Sequence, residues 1–169
     1  QAWGLTWDEI AGALGAFDPP PMRCQVLTLG GARVIDDSYN SSPTAMRAAL
    51  ELLRDFDSPG RRIVVCGDMR ELGPGAVRLH RELGDEVVTR CGADVLVACG
   101  DHADDVVAGA RAAGMPRGQT VACRDPLEAV PFVRRTLADG DVLLVKGSRA
   151  MALERVVHEL QGDARRRAA

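Results

Sequence analysis

Short unbroken apolar runs alternate with segments of helical period along most of this 169-residue chain, and that alternation limits it to few architectures. The runs are Val34-Ile35, Ile63-Val64-Val65-Cys66, Val95 to Cys99, Thr120 to Ala122 and Val142 to Val145. Each is too short for a helix and lacks a polar side, as expected of strands covered on both faces. The stretches between them predict helices from Pro43 to about Phe56, Ala76–Cys91, Ala103–Ala113, Pro126–Ala138 and Ala150–Gln161. Strand and helix in strict alternation predict a mainly parallel sheet with helices on both faces. Gln25–Leu29, Gly30-Gly31 and Ala32–Ile35 read as a β-hairpin, because a glycine pair supplies the positive φ of a two-residue turn. The expected fold is therefore α/β and Rossmann-like, with an N-terminal β-hairpin edge. Ahead of it, Thr6 caps a short helix over Trp7–Leu14, with Glu9 placed to complete a capping box. Pro19-Pro20-Pro21 ends that helix and forms a stiff linker.

Composition narrows the partners. Apolar residues make up 46% of the chain, enough for the core of one ordinary domain. A formal charge of −3 argues against an electrostatically driven nucleic-acid binder. The one basic run, Arg165-Arg166-Arg167, reads as a solvated helix end. The five cysteines are odd in number and contain no CxxC pair, which points to a reducing cytosolic setting without disulfides or zinc. Cys66 and Cys99, inside apolar runs, are expected to act as small hydrophobes. His80, His102 and His158 fall in predicted helices without ligand spacing, so surface or helix-end places are expected and no metal site. No signal peptide and no apolar stretch near the ~18 residues of a membrane span is present.

Three polar loops follow apolar runs. They are Asp36-Asp37-Ser38-Tyr39-Asn40-Ser41-Ser42-Pro43, Gly67-Asp68-Met69-Arg70-Glu71-Leu72-Gly73 and Lys146-Gly147-Ser148-Arg149. Ligands of open parallel sheets bind beyond the carboxyl ends of the strands, so the three loops are expected to share one site. In the first, Tyr39 offers a ring for stacking and Asn40 an amide, a set suited to a nucleoside; the same Asp pair would serve equally as a capping loop. In the second, Asp68 and Glu71 could position an amine or a magnesium-bound water, or cap backbone. In the third, Lys146 is the sole lysine among 21 basic residues, at a strand-to-helix turn suited to a carboxylate or phosphate. Neither GxGxxG nor GxxxxGK[ST] occurs, so the chain alone is expected to neither grip a triphosphate nor hydrolyse ATP.

Taken with Pro21-Met22-Arg23, these loops in this order resemble the C-terminal domain of the Mur ligases, most nearly the D-alanyl-D-alanine-adding branch. The resemblance covers nearly the whole chain. It implies that residues 1–22 end a central ATPase domain and its linker, and that 23–169 form the Mur ligase C-terminal domain. It implies ATP-dependent amide formation in bacterial peptidoglycan precursor synthesis. A carboxylate of UDP-N-acetylmuramoyl-tripeptide would be activated as an acyl phosphate and attacked by the amine of D-alanyl-D-alanine. Arg23, Asp37, Tyr39 and Asn40 would face the ATP. Lys146, Ser148 and Arg149, with Asp68 and Glu71, would face the incoming dipeptide. Magnesium and most of the ATP contacts would belong to the central domain, with no catalytic residue in this domain alone. A cytoplasmic monomer is expected. The family usually carries a second Asn before the loop proline, where this chain has Ser42, so that amide's contact stays open. Two other readings remain: another Mur-type, folylpolyglutamate- or cyanophycin-type ligase, or a non-catalytic Rossmann-like binding module. The first usually carries a His before that proline, and none occurs between Asp36 and Pro43.

Overall fold

A computed structural model describes the backbone of residues 4–168 and the side chains of residues 4–162. It contains α1 (Trp7–Gly15), β1 (Gln25–Leu29), β2 (Ala32–Asp36), α2 (Pro43–Asp55), β3 (Arg62–Gly67), α3 (Ala76–Thr89), β4 (Val95–Cys99), α4 (Ala103–Ala112), β5 (Thr120–Cys123), α5 (Pro126–Thr136), β6 (Val142–Lys146) and α6 (Glu154–Ala168). The strands form one sheet in the order β1-β2-β6-β3-β4-β5. Only β1 runs antiparallel to its neighbour. The α/β, mainly parallel sheet with a hairpin edge is as the sequence predicts.

The unbroken apolar runs are explained by burial on both sides. Alternate strand residues feed two cores. Ile35, Val64, Leu96 and Leu144 pack under α2, α3 and α4 on one face. Val34, Ile63, Val65, Val97, Leu143 and Val145 pack under α5 and α6 on the other. Each helix contributes a stripe at helical spacing, such as Met46, Ala49, Leu50 and Leu53 of α2. Cys66 and Cys99 are buried among these apolar side chains, as expected. The hairpin turn needs a positive φ only at Gly30, at 61°. Gly31 is required for a different reason: its N–H donates to Asp139 Oδ1 at 3.0 Å, and a Cβ there would collide with the Asp139 carboxylate.

Two expectations need correcting. The last helix does not start at Ala150. A single 3₁₀ turn over Arg149–Met151 and a left-handed Ala152 (φ 51°) intervene, and α6 then runs from Glu154 to Ala168. Arg165-Arg166-Arg167 fall in its last turns, where side chains lie outside the described residues. His80 is neither superficial nor terminal. It is fully buried on the stripe that α3 forms with Leu83, Gly84 and Val87. His102 stands at the N-cap of α4, and His158 is exposed on α6. The capping box of α1 forms as read, with Thr6 Oγ1 accepting from the Glu9 N–H at 3.2 Å.

Candidate functional site

Strand β6 lies between β2 and β3, all three parallel, so the loops after them emerge side by side at one sheet edge. The chain leaves β2 and β3 toward α2 and α3, and leaves β6 toward α6 on the opposite face. Such a divergence opens a crevice between strand ends. A cleft of about 370 Å³ lies to one side of it, between the linker, the first loop and α2, lined among others by Arg23, Asp37, Tyr39, Asn40, Ala49 and Lys146; the second loop does not line it, so the three loops do not share this one cleft.

Strand parity delivers Lys146 to this cleft. It continues Val142 and Leu144 on the α2 face of β6. Its side chain is 3% exposed, and its ammonium donates to Asp37 Oδ2 at 2.6 Å and to the Asn40 carbonyl at 2.9 Å. Asp37 Oδ1 accepts the Cys24 N–H at 3.2 Å, which ties the linker to the first loop. The Arg23 guanidinium lies over the Tyr39 ring, 3.9 Å from its centroid, a cation–π contact that leaves a flat half-exposed surface. Asp36 points away, toward α6. Its Oδ1 accepts both the N–H and the hydroxyl of Ser38, and burial pushes its carboxyl above the usual range. Ser42 caps α2 through the Ala45 N–H at 3.2 Å. Ser41 Oγ, beside it, is buried with no hydrogen-bond partner.

The second and third loops are stitched together. Ser148 donates its N–H to the Asp68 carbonyl at 3.2 Å and accepts the Arg70 N–H on its hydroxyl at 2.9 Å. Gly67 and Gly147 meet backbone to backbone; a Cβ on Gly147 would sit 3.2 Å from the Gly67 Cα and drive into Leu153. Beneath them, the Met69 N–H donates to His80 Nε2 at 2.9 Å. Arg149 pairs with Glu154 and reaches the Met22 sulfur at 3.4 Å. Four non-glycine residues among those described hold a left-handed backbone: Met22, Cys24, Glu71 and Ala152. All four belong to or adjoin these loops and the linker, a concentration of strain typical of functional sites.

The structure thus gathers Arg23, Asp37, Tyr39 and Asn40 around one cleft. It places Lys146 with them, rather than open beside Ser148 and Arg149. The reason is charge: a nearly buried ammonium needs a partner, and Asp37 supplies it. Asp68 is not open to a ligand either. Its oxygens accept the Asp101 N–H at 2.9 Å and the His102 N–H at 3.0 Å at the start of α4, with Arg70 at 3.5 Å. Of the two roles the sequence left open for it, this is backbone capping. Glu71 is exposed. Ser41 and Ser42 both read as candidate caps of α2, and Ser42 is the cap; the unpaired burial of Ser41 and the burial of His80 were missed. For His80 a signal existed in its place on the apolar stripe of α3; for Ser41 there was none. A second depression, of about 530 Å³, lies beyond β4 and β5, where Asp101, Asp104 and Glu128 face the single Arg124. Among the described residues no cluster of three or more His, Cys, Asp or Glu could hold a metal.

Fold and cleft define a class: a Rossmann-like domain with polar loops at its strand ends and no GxxxxGK[ST] motif in its sequence. The chain belongs to the Mur ligase family, since the family model described as Mur ligase, glutamate ligase domain matches residues 22–149. It is 33% identical over 175 residues to the UDP-N-acetylmuramoyl-tripeptide–D-alanyl-D-alanine ligase of Mycobacterium leprae, covering 95% of this chain and 34% of that protein. With the enzyme of the same name from Escherichia coli it shares 32% over 161 residues, covering 94% of this chain and 33% of that one. Among solved structures, the MurF ligase of Thermotoga maritima in complex with ADP superposes with a TM-score of 0.78 at 27% identity, covering 98% of this chain and 36% of that chain. The chain therefore spans about a third of the length of the relatives it matches.

Proposed function

We propose that this chain is the C-terminal part of an ATP-dependent ligase that joins D-alanyl-D-alanine to UDP-N-acetylmuramoyl-tripeptide. One observation carries the reading: the cleft beside the ends of β2 and β6 holds the residues suited to a nucleotide, in a chain that relatives of that name match nearly end to end. Residues 1–22 would end a central ATPase domain and linker, and 23–169 would close over its active site. Mur-type relatives and the ADP-bound likeness favour ATP as the nucleotide. The cleft fits such a group. Ser41 offers an unsatisfied hydroxyl, Arg23 on Tyr39 offers a cationic stacking surface, and the Asn40 side chain lines the wall. ATP would supply the phosphoryl group that activates the peptide carboxylate, with magnesium held mainly outside this chain.

The chain's own residues would position and enclose. Lys146, bound to Asp37 and the Asn40 carbonyl, would hold the nucleotide wall in shape. Ser148 and Arg149, stitched to the second loop and to α6, would face the incoming dipeptide. Closure over the site would keep water from the activated carboxyl. We place the enzyme in the bacterial cytoplasm as a monomer without nucleic-acid or membrane partners; no helix among the described residues is long and apolar enough to cross a membrane. The test is the full-length protein with ATP, magnesium and UDP-N-acetylmuramoyl-tripeptide. Phosphate release should require D-alanyl-D-alanine and fall sharply with a single amino acid in its place. Release driven equally well by a single amino acid would overturn the assignment.

A further inference from the structure

We infer that His80 is a positioning residue that locks the second loop and, through it, sets Ser148 for the amine substrate. The lock is one lone pair. His80 Nδ1 lies 2.7 Å from the Ala76 carbonyl, which can only accept, so Nδ1 carries the proton and Nε2 is bare. That bare nitrogen accepts the Met69 N–H at 2.9 Å. Met69 is 2% exposed, so without the imidazole its amide would be buried with no acceptor. The residues on either side of Met69 carry the two hydrogen bonds on Ser148: the Asp68 carbonyl takes its N–H and the Arg70 N–H reaches its hydroxyl. One ring therefore fixes the residue between the two anchors of the third loop.

The ring is itself held on every side. His102, from the start of α4, stacks on it at 4.3 Å between centroids and 17° between planes. Burial keeps it below the ordinary imidazole range. The Ala76 carbonyl opposes that shift, His102 adds to it, and the Asp68 and Asp105 carboxylates oppose it weakly. At neutral pH the acceptor is present. When acid protonates Nε2, the acceptor becomes a donor facing a donor, and the loop loses its anchor.

This inference rests on the proposed ligase reading, and its test separates the two. In the full-length enzyme, His80→Phe keeps the ring's bulk but removes the acceptor. It should raise the KM for D-alanyl-D-alanine about tenfold, the cost of one lost hydrogen bond to a buried donor, with the KM for ATP nearly unchanged. His80→Gln, whose amide oxygen reaches the Nε2 position, should restore most of the loss; His80→Asn, too short, should not. The wild-type dipeptide KM should climb only when pH falls through the lowered value of the buried imidazole, below the ordinary 6.5, and the Gln variant should lack that rise. In the 169-residue chain, amide exchange at Met69 and Arg70 should quicken in the Phe and Asn variants and slow again in Gln. Unchanged exchange in both Phe and Asn would overturn the lock. Faster exchange with an unaltered dipeptide KM in an active enzyme would overturn its role in the site. An enzyme that never uses the dipeptide would sink the ligase reading instead, and exchange alone would then judge the lock.

Discussion

At the scale of single residues, the meeting of Lys146 with Asp37 is the contact with most consequence. It joins positions 109 residues apart and takes a nearly buried cation and an 84% buried carboxylate out of water together. Truncating one member leaves the other charge unpaired, which costs more than the pair is worth. Lys146→Ala should therefore destabilise the domain by about 2–4 kcal/mol and, in the proposed full-length ligase, raise the KM for ATP by roughly tenfold or more. Lys146→Arg should recover only part, since a planar fork cannot occupy the same point between Asp37 and the Asn40 carbonyl. A double variant, Lys146→Met with Asp37→Asn, should be more stable than the sum of its parts, as a double-mutant cycle by chemical unfolding would reveal. A dipeptide KM that moves while the ATP KM stands still would return Lys146 to the role its position beside Ser148 implies. The sequence marked Lys146 as unusual by composition and the first loop by residue type. It could not pair them, because adjacency of β2 and β6 is a property of the sheet, not of any local window. Parity along Val142, Leu144 and Lys146 contained the facing direction all the same.

At the scale of elements, the sequence pattern located each strand and helix among the described residues, the strands because burial on both faces leaves no polar interruption to blur them. Where it failed, at the start of α6, backbone geometry decided: the turn at Arg149–Met151 and the left-handed Ala152 have no hydrophobic signature. Also hidden was the closeness of α3 and α4. A Cβ on Gly84 would collide with the Val106 carbonyl, and one on Gly109 with the Arg81 carbonyl, so each helix sits against the other's backbone. Gly109→Ala should lower stability by about 1–3 kcal/mol despite alanine's better helix propensity, because the helices must part. Equal or greater stability in thermal unfolding would contradict so tight a crossing. At the sheet's other end, Asp141 binds the starts of β3 and β6 together. It accepts the Arg61 N–H at 2.9 Å, the Ala138 N–H at 3.0 Å and the Arg61 guanidinium at 2.7 Å. Burial alone would raise its pKa, but these donors outweigh it and the carboxyl lies below its usual 3.8. A lowered folded value means its contribution is complete above that ordinary value and lost as pH falls through the folded one. Asp141→Asn should thus cost about 1.5–3 kcal/mol at pH 7, as for charged hydrogen bonds, and progressively less toward strong acid. Urea unfolding across pH measures the difference, and a gap that widened in acid would refute the sign.

At the scale of the whole molecule, the cores account for α2 to α6 and leave α1 out. It buries no side chain, and Trp7, Leu14 and Phe17 are 71%, 69% and 64% exposed. Its capping box secures the helix's first turn without attaching the helix to the sheet. The linker that follows is different. Met22 and Cys24 are held in left-handed conformations, Cys24 donates its N–H to Asp37, and Tyr39 donates its N–H to the Met22 carbonyl at 3.0 Å. The boundary of the folded unit should therefore fall between Phe17 and Met22, close to the proposed division at residue 22. A chain beginning at Pro19 should match the stability of residues 1–169 to within about 0.5 kcal/mol, the range of surface changes that touch no core. One beginning at Val26 should lose more, since it forfeits the tie to Asp37 and the Arg23 stacking on Tyr39. Urea midpoints and slopes for the three chains would check this. If removing residues 1–18 cost as much as removing 1–25, α1 would have to pack on the domain, and the proposed division at residue 22 would fail. The expected order, with loss only in the second truncation, fits a helix outside the folded unit and a linker that is part of the cleft wall.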